Sequence, residues 1–319
     1  MLFRSFNVAL AGIISVFTTY LFASYIGYKD EYLSSGFFTY NPLLVGLSIG
    51  FLFKLNAMTI LLLVAASVFA FIVTIVFANL FSVYLHLQIL SIPFVIVSSI
   101  VYLASGRYSN LYVNSLYSKQ GLETMISIPI WLTGYLKSLG AIIFMPDIIS
   151  GALIALLLLF VSRILFTLSV LGFAVGCFVQ GWFTGSFLTV FTDINSFNYI
   201  LISMAIGGIY LVPSLHSFVF AIIGVTVSTL LISAVNVFWS QYGIPVFTLP
   251  FNLVTLGFVY VLGLINYEHR PLIYKPTPEQ TLDHYLTTKN RGMSGFTCTV
   301  SLPFNGAWTV WQEIGRAHV

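Results

Sequence analysis

Long apolar runs, broken by short polar stretches, set the pattern of this chain. Residues 55–106 contain no Asp, Glu, Lys or Arg, and neither do residues 194–267. A membrane-spanning helix needs ~20 apolar residues, so each run has room for more than one. The pattern predicts spans over 6–28, 57–80 and 215–237. Further apolar segments cover 42–53, 94–104, 125–145, 148–162, 164–179 and 251–267. The segment 42–53 is too short to span alone and reads as a re-entrant half-helix or half of a broken one. Tyr40-Asn41-Pro42 opens it, and proline is tolerated in the first turn of a helix, which makes Asn41 the expected N-cap. Gly181, Gly185 and Asp193 mark a loop. The total is roughly eight spans plus half-helices.

Polar residues interrupt the runs in a repeated way. Val246-Phe247-Thr248-Leu249-Pro250-Phe251-Asn252 lies between two apolar runs and holds a hydroxyl, a proline and an asparagine. Polar or broken backbone at membrane depth is tolerated only where it is buried in protein or lines a cavity. The stretch therefore reads as pore lining. Ile89-Leu90-Ser91-Ile92-Pro93-Phe94 answers it earlier in the chain. The offset between Ser91 and Thr248 also aligns Tyr40-Asn41 with Phe197-Asn198, Leu44 with Leu201, Ile49-Gly50 with Ile206-Gly207, and Val97 with Val254. Apolar matches come easily in such a chain; matched Asn, Gly and Pro do not. An internal repeat of this kind points to two halves. In transporters, interrupted apolar segments at matching places in two halves point to the binding site.

Composition agrees with the pattern. Hydrophobic residues are 59% of the chain and charged residues only 7%, far from the balance of a water-soluble domain. The chain reads as an all-α polytopic membrane protein. A formal net charge of +3 is too small to imply nucleic acid. Cys177 and Cys298 lie far apart in different surroundings, which speaks against a disulfide. Met1-Leu2-Phe3-Arg4 leads straight into an apolar run, without a signal-peptide pattern.

Candidate chemistry is sparse. There is no paired His/Cys spacing for zinc, no Gly-rich phosphate loop, and no Ser/His/Asp set in the membrane part. His86 and His216 are single and lie beside turns, which favours a structural or interfacial role over a functional one. Intramembrane carboxylates are missing from the repeat segments, which argues against proton or sodium coupling. Passive conduction of a neutral solute is left. That task needs apolar walls to exclude ions, a few fixed hydrogen-bond partners, and aromatic faces to form a slot for a planar solute. Tyr40 and Phe197, Leu44 and Leu201, and Ser91 and Thr248 supply these in duplicate. In the alternative, the aromatics are core packing and the hydroxyls bond to their own helix backbone.

These motifs resemble the urea transporter family. Tyr40-Asn41-x-x-Leu44-Val45-Gly46-Leu47 is similar to its Gly-Phe-Asn-Gly-x-Leu-Val-Gly. Ser91-Ile92-Pro93-Phe94 and Thr248-Leu249-Pro250-Phe251 are similar to its Thr-x-Pro-Phe. Phe197-Asn198-x-x-Leu201 with Ile206-Gly207-Gly208 repeats the first motif. The resemblance covers about residues 6–266 and implies two inverted-topology repeats of about five helices with re-entrant half-helices. It implies a homotrimer in the bacterial inner or plasma membrane, with urea passing through one pore per protomer and no cofactor or metal. Carried over, the pore residues are Tyr40, Leu44, Ser91, Phe197, Leu201 and Thr248. Asn41, Pro93, Phe94, Asn198, Pro250 and Phe251 support the motifs. Each family repeat opens with a segment like Gly-Gln-x-x-Phe, similar here to Gly140-Ala141-Ile142-Ile143-Phe144, which adds Phe144. Tyr40 in place of Phe adds a hydroxyl that narrows the slot, Ser91 in place of Thr is a mild change, and Ala141 removes the polar group at a pore mouth. The matching segment of the first repeat falls before Met1, so an N-terminal span is expected to be missing.

The domain reading places a first membrane repeat at 1–104, a linker at 105–124 and a second repeat at 125–267. Composition changes at Glu268. Thr277-Pro278-Glu279-Gln280 reads as a capping box, so a short helix is expected at about 278–289 within a linker over 268–300. Tyr274-Lys275-Pro276-Thr277-Pro278 and Leu302-Pro303-Phe304-Asn305-Gly306-x-Trp308-Thr309-Val310 resemble the linker and first strand of the lysostaphin-type zinc endopeptidase domain of some bacterial family members. Residues 301–312 would begin that domain, without its His/Asp zinc ligands. Residues 313–319 read as a sequencing artefact, and 290–319 are expected to be disordered. Two other readings stand beside the channel: a membrane anchor for such a peptidase with a vestigial pore, and a flavin-carrying redox subunit of similar fold. Gly185-Ser186-Phe187-Leu188-Thr189 is a poor match to the flavin-attachment motif of the latter. Arg107, Lys119, Arg270 and Lys275 would face the cytoplasm by the positive-inside rule, whereas a wall peptidase would sit outside.

Overall fold

The computed structural model describes residues 6–28, 36–113, 129–271 and 273–290. Among these the elements are helical, apart from an isolated bridge between Phe53 and Val113. The helices are α1 (Phe6–Tyr25), α2 (Phe37–Leu52), α3 (Ala57–Leu80), α4 (Ile92–Ser105), α5 (Ile130–Ala141) and α6 (Ile148–Val161). There follow α7 (Arg163–Thr184), the short α8 (Phe187–Thr192), α9 (Phe197–Met204), α10 (Leu215–Ser240), α11 (Leu249–Leu264) and α12 (Pro278–Asn290). A 3-10 turn at Ile194–Ser196 precedes α9 and a π turn at Ala205–Ile209 extends it. The readings over 290–319, and most of those over the 105–124 linker, lie outside the described residues.

Local chemistry sets the boundaries. Asn56 accepts from Thr59 N at 2.7 Å and starts α3. Ser162 ends α6 and accepts from Leu165 N at 3.1 Å, starting α7. Ser214 and Ser217 form a reciprocal capping box at the start of α10. Gly185 closes α7 in the left-handed conformation, with φ 71°.

Two expectations need correction. Asn41 is not an N-cap: α2 begins at Phe37 after Gly36, and Asn41 lies inside it with its side chain pointing to another helix. Gly181 is not in a loop but within α7, which runs on to Thr184. Among the described residues, four helices are long and apolar enough to cross a membrane, Phe6–Tyr25, Ala57–Leu85, Arg163–Thr184 and Leu215–Ser240, and five shorter apolar helices accompany them. Segment 125–145 breaks after Ala141, where Phe144 takes φ 59°, and α6 gives way to α7 at Ser162, between the two apolar segments expected there. The chain is a multi-pass helical membrane protein.

Helices recur along the chain at the offset of 157 residues that separates Ser91 from Thr248. The first residues of α1 and α7, Phe6 and Arg163, stand that far apart, as do Ile92 and Leu249 of α4 and α11. In each half the first helix packs on the two that follow: α1 on α2 and α3, α7 on α9 and α10. Apolar helices in lipid gain little from the hydrophobic effect and approach through small residues. A Cβ on Gly46 of α2 would come 2.5 Å from Ser15 Cβ of α1. A Cβ on Gly172 of α7 would come 2.5 Å from Ser203 Cβ of α9. Serine and glycine have changed sides at the matched positions.

The tail returns to this scaffold. Glu279, in the first turn of α12, accepts from Ser162 Oγ and from Ile164 N, each at 2.9 Å. Its carboxylate thus meets the positive end of α7. Burial works to raise its pKa, but the hydrogen bonds from Ile164, Ser162 and neighbouring backbone win and hold it below the ordinary value.

Candidate functional site

The site starts from two buried asparagines. Asn41 of α2 donates from Nδ2 to Leu90 O at 3.2 Å and accepts at Oδ1 from Phe94 N at 3.2 Å. Asn198 of α9 donates to Phe247 O at 3.0 Å and accepts from Phe251 N at 3.3 Å. Each side chain brackets the turn before a proline-started helix and satisfies one of the backbone N–H groups that a helix start leaves free. The turns are alike in another way: Leu90 and Phe247 both have φ 49°. A left-handed non-glycine residue costs about 1–3 kcal/mol and persists only when its surroundings hold it. The asparagine brackets do that here.

After each left-handed residue comes a hydroxyl. Ser91 (φ −103°, ψ 24°) and Thr248 (φ −96°, ψ 18°) occupy the N-cap positions of α4 and α11, yet neither caps its own helix. Their side chains meet instead, with Ser91 Oγ 2.7 Å from Thr248 Oγ1. This differs from the alternative in which each hydroxyl bonds to its own helix backbone. Asn252, fully buried, sits behind the pair. Its Oδ1 accepts from Ser91 N and Ser91 Oγ, both at 3.2 Å. Its Nδ2 donates to Thr248 Oγ1 at 3.5 Å.

A cavity of about 620 Å³ opens over this pair. Tyr40, Leu44, Ser91, Phe144, Phe197, Leu201 and Thr248 all line it, as do Phe94 and Phe251. Asn41, Pro93, Asn198 and Pro250 do not; they stand behind the wall, where they shape the turns. The two halves contribute unequally. Tyr40 is 47% exposed, whereas Phe197 is 8% exposed. No hydrogen-bond partner for the Tyr40 hydroxyl occurs among the described residues.

One wall is aromatic. Phe94 and Phe247 meet edge to face with ring centroids 5.2 Å apart, and Tyr102 meets Phe247 at 5.2 Å. Phe144 closes the group, 5.8 Å from Phe94 and 6.1 Å from Phe51. Ala141, Asp193, Asn195 and Asn236 also line the cavity. Asp193 accepts from Asn195 N at 2.9 Å. The sequence places Asp193 in a loop and Asn252 in a stretch read as pore lining, whereas Asn252 stands behind the wall; Asn236 has no role in that reading. The signal for Asn252 was its place directly after Thr-x-Pro-Phe; nothing marked Asn236 within a span.

The two histidines stand apart from the cavity. His86 ends the π turn after α3 with φ 53°. His216 lies in the first turn of α10, its ring 5.7 Å from that of His269. Among the described residues, no group of three or more His, Cys, Asp or Glu is placed to hold a metal ion.

The arrangement is a largely apolar, aromatic-walled cavity with one hydroxyl pair, Ser91 buried and Thr248 half-buried, between the starts of α4 and α11. A family model described as "Urea transporter" matches residues 1–263. That span takes in both asparagine brackets, both hydroxyls and every residue assigned above to the cavity wall, and the chain belongs to the urea transporter family.

Proposed function

We propose that the protein conducts urea, or a similar small neutral amide, passively across the membrane through this cavity. The observation that carries the reading is the Ser91–Thr248 pair, 2.7 Å apart in the wall of a cavity otherwise rich in aromatic and aliphatic side chains. An ion entering such a space loses hydration that its aromatic and aliphatic walls do not replace. A neutral planar solute loses far less, and the hydroxyls return part of it. The flat faces of Tyr40, Phe197 and Phe144 suit a planar solute.

The rest of the proposed architecture follows the family. Residues 1–104 and 125–267 form two repeats of inverted topology that meet at the hydroxyl pair. The protomer works within a homotrimer in the cell membrane, with one pore each. Gating and coupling residues are not part of the reading, because the pore walls combine apolar side chains with a few fixed polar groups.

Stopped-flow light scattering on proteoliposomes tests it. Fast urea flux is expected, slowed roughly fivefold by the near-isosteric Thr248→Val, the worth of about one hydrogen bond. Folded protein that passes urea no faster than empty liposomes would sink the reading.

A further inference from the structure

We propose that Asn252 is a positioning residue that orders the protons of the hydroxyl pair, leaving the cavity a face that accepts hydrogen bonds and offers none. This rests on the channel reading above and specifies its solute class: small neutral molecules rich in N–H.

One donor at the pair has a fixed direction. Ser91 N–H donates to Asn252 Oδ1 at 3.2 Å. A backbone N–H cannot accept, so the amide must present its oxygen to Ser91 and therefore its nitrogen to Thr248. Asn252 Nδ2 stands 3.5 Å from Thr248 Oγ1 on that side. Thr248 thus accepts from Asn252, and its own hydrogen turns to Ser91 Oγ at 2.7 Å. The Ser91 hydrogen then goes to Asn252 Oδ1 at 3.2 Å. The three groups close a ring with a single sense.

A hydroxyl has one hydrogen and two lone pairs. In this ring both hydrogens are used internally, and each oxygen keeps one lone pair. Bonds in such a chain polarise one another, which strengthens the order. Asn252 is fully buried and outside the cavity lining, so it acts through Ser91 and Thr248 rather than on the solute. The device is one-sided: the residue that matches Asn252 at the 157-residue offset is Val95, buried in α4.

The test measures urea and acetamide flux in proteoliposomes for the full chain, Asn252→Val, and the double variant Val95→Asn/Asn252→Val. The two solutes are alike in size, but urea has twice as many N–H bonds. Asn252→Val removes the acceptor of the Ser91 hydrogen, so one hydroxyl hydrogen of the pair is free to point into the cavity. The urea-to-acetamide flux ratio is expected to fall about fivefold, the worth of about one hydrogen bond. The double variant moves the asparagine to the other half and is expected to bring the ratio back to within about twofold of the starting protein. Packing lost at position 252 cannot be repaired from position 95, so recovery separates proton order from fold. An unchanged ratio in Asn252→Val overturns the proposal, as does a double variant as altered as the single one. If the single variant does not fold, the double decides alone, and its failure to fold also overturns the proposal. If the unaltered protein passes neither solute, the channel reading falls and this inference falls with it.

Discussion

Asn198 holds the turn at Phe247 with the same two hydrogen bonds by which Asn41 holds the turn at Leu90. The four distances lie between 3.0 and 3.3 Å. Both asparagines are almost wholly buried, Asn41 at 1% exposure and Asn198 at 0%. Each joins a helix of one segment to the polar interruption of the next, so the cavity wall depends on contacts remote in sequence.

Replacing either asparagine by Ala leaves a buried carbonyl and a buried N–H without a partner. Each such group costs about 1–3 kcal/mol. Asn198→Ala and Asn41→Ala are expected to lower the thermal midpoint in detergent and to reduce urea flux together. A stable Asn198→Ala protein with full flux would show that the left-handed turn at Phe247 holds itself.

Gly46→Ala should be poorly tolerated, because its methyl would lie 2.5 Å from Ser15 Cβ. Overpacking of this kind costs about 1–3 kcal/mol. The exchange Ser15→Gly/Gly46→Ser copies the arrangement of Gly172 and Ser203. It is expected to recover part of the loss, but not all, since Ser15 also donates to Pro42 O and accepts from Ser67 Oγ. A double-mutant cycle on thermal stability measures the coupling; strict additivity would refute the contact.

Tyr40→Phe matches the first half to Phe197 of the second. The hydroxyl has no partner to lose among the described residues, so stability should stay within ~0.5 kcal/mol. Urea flux should rise as the slot widens. A fall in flux would mean that the Tyr40 hydroxyl handles the solute.

The tail contact depends on pH. The carboxyl of Glu279 titrates below its ordinary value in the folded protein. Its contribution is therefore complete above the ordinary Glu pKa of about 4.3 and is lost as pH falls through the depressed folded value. Hydrogen exchange of α12 should stay slow at neutral pH and speed up in that acidic window. Glu279→Gln should exchange fast throughout; slow exchange in that variant would place the docking elsewhere.

Much of the helical pattern was legible because polar residues are expensive in an apolar chain and so mark places with a reason. The span expected at 57–80 is α3, Ala57–Leu80, and the short helix expected at about 278–289 is α12, Pro278–Asn290. Of the residues paired by offset, Tyr40, Leu44, Ser91, Phe197, Leu201 and Thr248 line one cavity, and Phe144 with them. Other features were hidden by physics that acts across the fold. Asn41 looks like an N-cap because capping is a local rule, yet its partners are Leu90 in the turn before α4 and Phe94 in α4. Phe144 takes a left-handed backbone that no bulky residue signals in sequence. Asn252 stands out in its stretch as a polar residue, but its place behind the wall rather than in it does not show in the sequence, where Val95 breaks the match at its position.

Ser15 against Gly46, and Gly172 against Ser203, describe one contact written twice with its letters exchanged. Under a duplicated origin of the two halves, that exchange requires at least two compensating changes in one of them. The inherited quantity is then the combined bulk of a pair rather than the identity of either member. Positions 15 and 46 should drift together among descendants, as should 172 and 203, while each pair drifts independently of the other. The chain would carry within itself two outcomes of the same evolutionary experiment.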